Sequence, residues 1–219
     1  MDGETMRAGE LQPAARFQAD LQRGGREEVV LDTFFSRWYT VEPVSMAWQQ
    51  GGVDRVFVEK KSHIRHTVEY KSDTKAGETG NCFIETVSVD TINKAGWAFS
   101  SLAQRLIYYV PPKKMLYVVP MCALKESLQE WGKKFTVKSK LNENRAGDGY
   151  YYTKGVIVPL VELALLGKTL FCTIFNGKLV RIEDFGGVEE MMPEHNAPIK
   201  WQPLSLQNYG KQEQTKMIF

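Results

Sequence analysis

Cysteine is scarce in this chain. Cys82, Cys122 and Cys172 are the only three among 219 residues. An odd number at wide spacing argues against a disulfide framework and against a zinc knuckle, and reduced thiols in a cytoplasmic setting are expected. Long apolar runs are also missing. Val156 to Leu166 is broken by Pro159 and Glu162, and no stretch nears the roughly 20 apolar residues of a membrane span, so no membrane partner is expected. The first residues lack the basic-then-apolar pattern of a secretory signal. His63, His66 and His195 have no ligand spacing with the cysteines. No Ser/His/Asp order, phosphate-binding glycine loop or dinucleotide fingerprint is present, nor any repeat at a fixed period. Net charge is small, at +2. A nucleic-acid partner is neither demanded nor excluded by that sum, because local clustering matters more.

What remains describes an ordinary globular protein, 43% hydrophobic and 25% charged, long enough for one well-filled domain. Leu11, Ala14, Ala15, Phe17 and Leu21 predict an amphipathic helix that Gly24-Gly25 ends. Leu31, Phe34, Phe35 and Trp38 form the stripe of a second helix over about Arg26 to Tyr39. Val53 to Glu59 alternates and is β-branched, a strand pattern. Thr67 to Ser72 and Cys82 to Val89 read the same way. Short links predict that these three pair as an antiparallel meander, with a glycine-containing turn at Lys75 to Gly80. A helix from about Trp97 to Leu106 then crosses over to strands at Ile107 to Val110 and Leu116 to Pro120. Leu124, Leu128 and Trp131 mark one side of a helix from Leu124 to Lys134. Lys138 to Gly149 reads as an exposed loop, followed by Tyr150-Tyr151-Tyr152 and an apolar stretch through Leu166.

One triplet carries chemistry. Residues i and i+2 of a strand share a face, so Glu69 and Lys71 project together. Asp54, at the mouth of the neighbouring strand, can reach the same place. Two carboxylates beside a lysine make a hard, oxygen-rich site for Mg²⁺ or Mn²⁺ with a fixed positive charge at its rim. That combination suits phosphodiester hydrolysis. By the inferred meander, Glu85 lies near Glu69. Glu28 arrives from the helix that packs on the sheet.

The order helix-Glu, strand-Asp, strand-Glu-x-Lys, strand, helix resembles the PD-(D/E)XK nuclease superfamily over roughly residues 26–119. Glu28 with Leu31 and Phe35 resembles the family's first helix. Gly52-Val53-Asp54-Arg55-Val56 is similar to its metal-binding strand, and Val68-Glu69-Tyr70-Lys71-Ser72 to its core triplet. The literal proline-aspartate pair is absent. The resemblance implies an α/β restriction-endonuclease-like core, a mixed central sheet built from an antiparallel meander and a crossover helix, flanked by helices. It implies that Asp54, Glu69 and the Tyr70 backbone carbonyl bind Mg²⁺ or Mn²⁺, with Lys71 as a charge clamp. Glu28 is implied as a further catalytic residue and Glu85 as a further metal ligand. Gln104 and Tyr108 have the Q-x-x-x-Y spacing with which RecB-like nucleases contact substrate.

Residues 1–135 are thus expected to form the nuclease core, 136–205 an extension of the same domain, and 206–219 a tail. Lys61, Arg65 and Lys75 flank the site and, with Gln104, are candidates for substrate contact; phosphate contacts of this kind carry affinity rather than sequence specificity. Gln214, Met217 and Phe219 resemble a sliding-clamp-binding peptide. The expected activity is metal-dependent DNA cleavage, as an endonuclease of phage or bacterial repair and recombination, with DNA, a sliding clamp and a second copy of the chain as candidate partners. An exonuclease or Holliday-junction resolvase, and a catalytically silent nucleic-acid- or protein-binding module, are the rival readings.

Overall fold

The computed structural model describes residues 13–143 and 149–182. In chain order the elements are α1 (Pro13–Phe35), β1 (Tyr39–Pro43), α2 (Met46–Gln50), β2 (Arg55–Glu59), β3 (Arg65–Ser72), α3 (Thr74–Thr79), β4 (Asn81–Val89), β5 (Lys94–Ala95), α4 (Trp97–Ser100), β6 (Arg105–Val110), β7 (Met115–Pro120), α5 (Met121–Lys134), β8 (Val137–Glu143), β9 (Tyr150–Pro159), α6 (Leu160–Leu166), β10 (Lys168–Phe175) and β11 (Lys178–Arg181). A seven-stranded mixed sheet has the order β1-β2-β3-β6-β7-β10-β11, and a four-stranded sheet the order β5-β4-β9-β8. Within the larger sheet β3 and β6 are parallel; its other neighbouring strands are antiparallel. This is the expected α/β class.

Strand alternation splits the core in two. Val68, Tyr70, Ile107, Tyr109, Leu116 and Val118 face α1, where Leu31, Phe34 and Phe35 are buried against them. Leu106, Tyr108, Val110, Tyr117 and Val119 face the other way, onto the smaller sheet and the buried stripe Leu124, Leu128 and Trp131 of α5. Nearly continuous apolar residues in β6 and β7 follow from burial on both faces. Among the described residues no helix is long and apolar enough to cross a membrane.

The meander exists, but with other members. β1, β2 and β3 pair antiparallel in succession, whereas β4 pairs with β5 and β9 in the second sheet. The expected third strand is therefore the start of another layer, and Tyr39, expected as the last residue of a helix, instead begins the first strand, Tyr39–Pro43. Crossover from β3 to β6 runs through α3, β4, β5 and α4, of which α4 is one turn rather than a helix reaching Leu106.

Three further expectations change. Helix α1 runs straight through Gly24 and Gly25. Each glycine costs a helix interior about 1 kcal/mol, a cost that the buried downstream stripe offsets. Lys75 to Gly80 is not an open turn but mostly helix α3, capped where Asp73 Oδ1 accepts from the Ala76 amide at 2.9 Å and closed by Gly80 at φ 71°. Val137–Glu143 is a strand paired with β9 rather than a loop. It is exposed on both faces, so no burial pattern marks it in the sequence.

Candidate active site

β2 ends its pairing with β3 at Arg55, opposite Val68. Beyond that point β3 continues alone on its β2 side. The Asp54 amide donates to the Val68 carbonyl at 2.8 Å, so even-numbered β3 residues turn their backbone groups to this open edge. The next such amide, Tyr70 N–H, donates to Asp54 Oδ2 at 2.7 Å. Asp54 thereby replaces the missing strand. The same alternation directs the Tyr70 carbonyl to the open edge.

Side chains alternate across the sheet. Tyr70 and Val68 point to α1, so Glu69 and Lys71 project from the opposite face. Glu69 is 2% exposed. Its Oε1 takes an ion pair from Lys71 Nζ, and its Oε2 is buried with no hydrogen-bond partner. The Ser101 hydroxyl donates to the Gly52 carbonyl at 2.6 Å and also acts on the Glu69 carboxylate. Burial pushes the Glu69 carboxyl up to about 7, with a further upward push from Asp54 and against the opposing pull of Lys71 and the Ser101 hydroxyl. Lys71 Nζ also sits 5.6 Å from the centroid of the Trp97 ring, a cation–π distance.

Two glycines shape the surroundings. Gly52 has φ +70°, and a Cβ there would lie 3.0 Å from Glu69 Oε2 and 2.9 Å from Ser101 Cα. Gly96 precedes Trp97, and a Cβ there would lie 2.4 Å from the Glu85 carbonyl oxygen. Gly52 and Gly96-Trp97 belong to stretches of sequence that resemble the nuclease family, but neither glycine, nor Trp97 or Ser101, was assigned a role at the site.

Lys71 pairs with Glu69, and Asp54 both acts on the Glu69 charge and accepts from the Tyr70 amide. Glu85 reaches the neighbourhood from the second sheet rather than along a meander. Burial raises its carboxyl, opposed by the Trp97 amide, Ser88 and the Lys71 charge. Glu28 lies on the other face. It pairs with Arg55 at 2.9 Å, on the α1 side that receives the Tyr70 ring. Gln104 is occupied in joining strands: its side-chain carbonyl accepts from the Thr67 amide at 3.0 Å. Tyr108 is buried and donates to Asp73 Oδ2 at 2.6 Å. Lys75 is exposed on α3, just past the end of β3. Lys61 and Arg65 sit at the far end of the β2–β3 hairpin. Arg65 pairs with Glu42, four residues from Glu69, or about 13 Å along an extended strand. Gln214, Met217 and Phe219 lie outside the described residues.

Among the described residues no group of three His, Cys, Asp or Glu side chains gathers to hold a metal. The donor set is smaller, two carboxylates and a carbonyl edge. It nevertheless fits a hard divalent cation that keeps several of its waters, as Mg²⁺ does. A buried carboxylate oxygen without a donor is the feature such an ion would satisfy. Searches of family models, curated proteins and solved structures return no match for the chain.

Proposed function

We propose that this protein is a metal-dependent nuclease that hydrolyses DNA phosphodiester bonds, and that its core is restriction-endonuclease-like. One observation carries the reading. Glu69 is a buried carboxylate beside the Asp54 charge, with a lysine ammonium on one oxygen and no well-formed hydrogen bond on the other. A purely structural charge pair has no need to bury one oxygen without a donor, since an unmet buried acceptor costs about 1–3 kcal/mol. The order of α1, an antiparallel meander and a crossover to a parallel strand also accords with that core.

Asp54 and Glu69 supply the anionic oxygens and the Tyr70 carbonyl a neutral one for Mg²⁺ or Mn²⁺. Such an ion, when bound, polarises a phosphoryl oxygen and makes a coordinated water more acidic. Lys71 is about one-third exposed, so its ammonium can turn from Glu69 to the scissile phosphate. There it stabilises the negative charge that develops as the phosphorus is attacked. Lys75, exposed beside the same strand end, adds a backbone phosphate contact. Cytoplasmic DNA repair or recombination is the setting that suits this chemistry, with an endonuclease favoured over an exonuclease or junction resolvase.

That no three acidic side chains gather to hold a metal, among the described residues, favours one second reading, a binding module that keeps the charge pair without cleaving. Supercoiled plasmid, linear duplex, single strands and a four-way junction, each with Mg²⁺, Mn²⁺ or EDTA, separate the readings. Metal-dependent cleavage is expected, and the preferred substrate sets the subclass. Binding of DNA without cleavage of any of the four would favour the module.

A further inference from the structure

Each residue of the candidate site has a sequence neighbour on the opposite face of the sheet. Asp54 is followed by Arg55, and Glu69 by Tyr70. These two neighbours meet on the α1 side. Arg55 Nε donates to both Asp32 carboxylate oxygens at 3.0 Å, and Nη2 donates to Glu28 Oε2 at 2.9 Å. Arg55 Nη1 donates to the Asp54 carbonyl at 2.8 Å. Tyr70 OH donates to Asp32 Oδ1 at 3.0 Å, and the Arg55 guanidinium lies 5.8 Å from the Tyr70 ring centroid. One guanidinium thus ties two helix carboxylates to the backbone of Asp54, and one of those carboxylates ties down Tyr70.

We infer that Glu28, Asp32, Arg55 and the Tyr70 hydroxyl form a positioning network that holds Asp54 and the Tyr70 backbone in register from behind the sheet. The inference rests on the nuclease reading for its purpose. Tyr70 is paired with Ile107 of β6 on one side only, and β2–β3 pairing stops at Arg55 and Val68, so no strand fixes the Asp54 side chain against the open edge at Tyr70. A planar guanidinium with a fixed fork of donors serves three acceptors at once. Glu28 accordingly acts through Arg55 and touches no reacting atom. Groups that orient a metal's ligands in this way typically matter by about 10–100-fold in metal affinity or activity.

The test uses the full chain with Mn²⁺ alone as probe, in wild type, Arg55→Gln, Arg55→Lys and Tyr70→Phe. Hydrogen exchange of the Tyr70 amide reports the Asp54 contact whether or not any metal binds. Arg55→Gln is expected to speed that exchange by about tenfold or more and to weaken Mn²⁺ binding by about 10–100-fold. Arg55→Lys should fail to restore either, because one ammonium cannot reach three acceptors. On cleaved DNA, kcat should fall with KM unchanged. Should Arg55→Gln not fold, Tyr70→Phe decides, since it removes one hydroxyl, keeps the ring and should change both readouts in the same direction. Unchanged exchange and unchanged Mn²⁺ affinity in a folded variant would overturn the network's role. Faster exchange in a protein that binds no Mn²⁺ would leave the positioning of Asp54 standing and would remove the nuclease reading instead.

Discussion

Asp54 caps the backbone amide of Tyr70 where β2 stops, through a 2.7 Å hydrogen bond from Tyr70 N–H to Oδ2. The carboxylate therefore has a structural duty as well as the proposed chemical one, and two substitutions separate them. Asp54→Asn keeps an oxygen acceptor and should retain most of the stability while losing cation binding. Asp54→Ala strips the amide and should cost about 1.5–3 kcal/mol, the range for a hydrogen bond to a charged group. Urea unfolding alongside Mn²⁺ titration checks both. Equal loss of stability in the two variants would contradict the division of roles.

The Glu69 carboxyl, raised to about 7 by burial, gives a pH signature. The folded state holds this proton to higher pH than the unfolded chain does. Without metal, stability should therefore be greatest below the unfolded carboxyl value near 4.3 and fall as pH rises towards 7, by at most about 4 kcal/mol. Glu69→Gln should flatten that slope. Divalent-cation affinity should move the opposite way, rising with pH as Glu69 ionises. Chemical unfolding at pH 5 and pH 8, with and without Mg²⁺, reads both trends.

Gly52 is confined from two sides, by a positive φ and by Glu69 Oε2 and Ser101. Gly52→Ala should cost about 1–3 kcal/mol for the left-handed backbone alone. The added methyl also presses on the free oxygen of Glu69, so cation affinity should drop even in the fraction that folds. Mn²⁺ titration of the folded variant checks this, and wild-type affinity would show that Oε2 takes no part.

Gly96 packs against the backbone of Glu85, and backbone cannot swing aside as a side-chain tip can. Gly96→Ala should destabilise by about 1–3 kcal/mol or more, as overpacking does. It should also displace Trp97 from Lys71, visible as a change in tryptophan fluorescence. A variant with wild-type stability and an unchanged spectrum would contradict the tight seat.

The Glu69–Lys71 pairing was easier to read from the sequence than the sheets that hold it. The i, i+2 rule placed Glu69 and Lys71 together because that rule needs one strand and no partner. The same rule, applied to Asp54-Arg55 and Glu69-Tyr70, signals that each site residue has a neighbour on the opposite face. It could have moved Glu28 away from the chemistry once Arg55 was seen to follow Asp54. The strand Tyr39–Pro43 was missed because Phe34, Phe35 and Trp38 carry a helical spacing up to its first residue, which was read as the helix end. Pairing of β4 with β9 joins residues some seventy positions apart, and nothing local specifies it. The fate of Glu69 Oε2 was likewise unreadable, since it depends on Gly52 and Ser101 from two separate loops.

Cleavage of supercoiled plasmid by the wild type, Glu69→Ala and Lys71→Ala, each with Mg²⁺ and with EDTA, tests the central claim most directly. Mg²⁺-dependent nicking or linearisation is expected of the wild type, none in EDTA, and near-complete loss in both variants while they remain folded. Metal-dependent cleavage that survives both substitutions would contradict it.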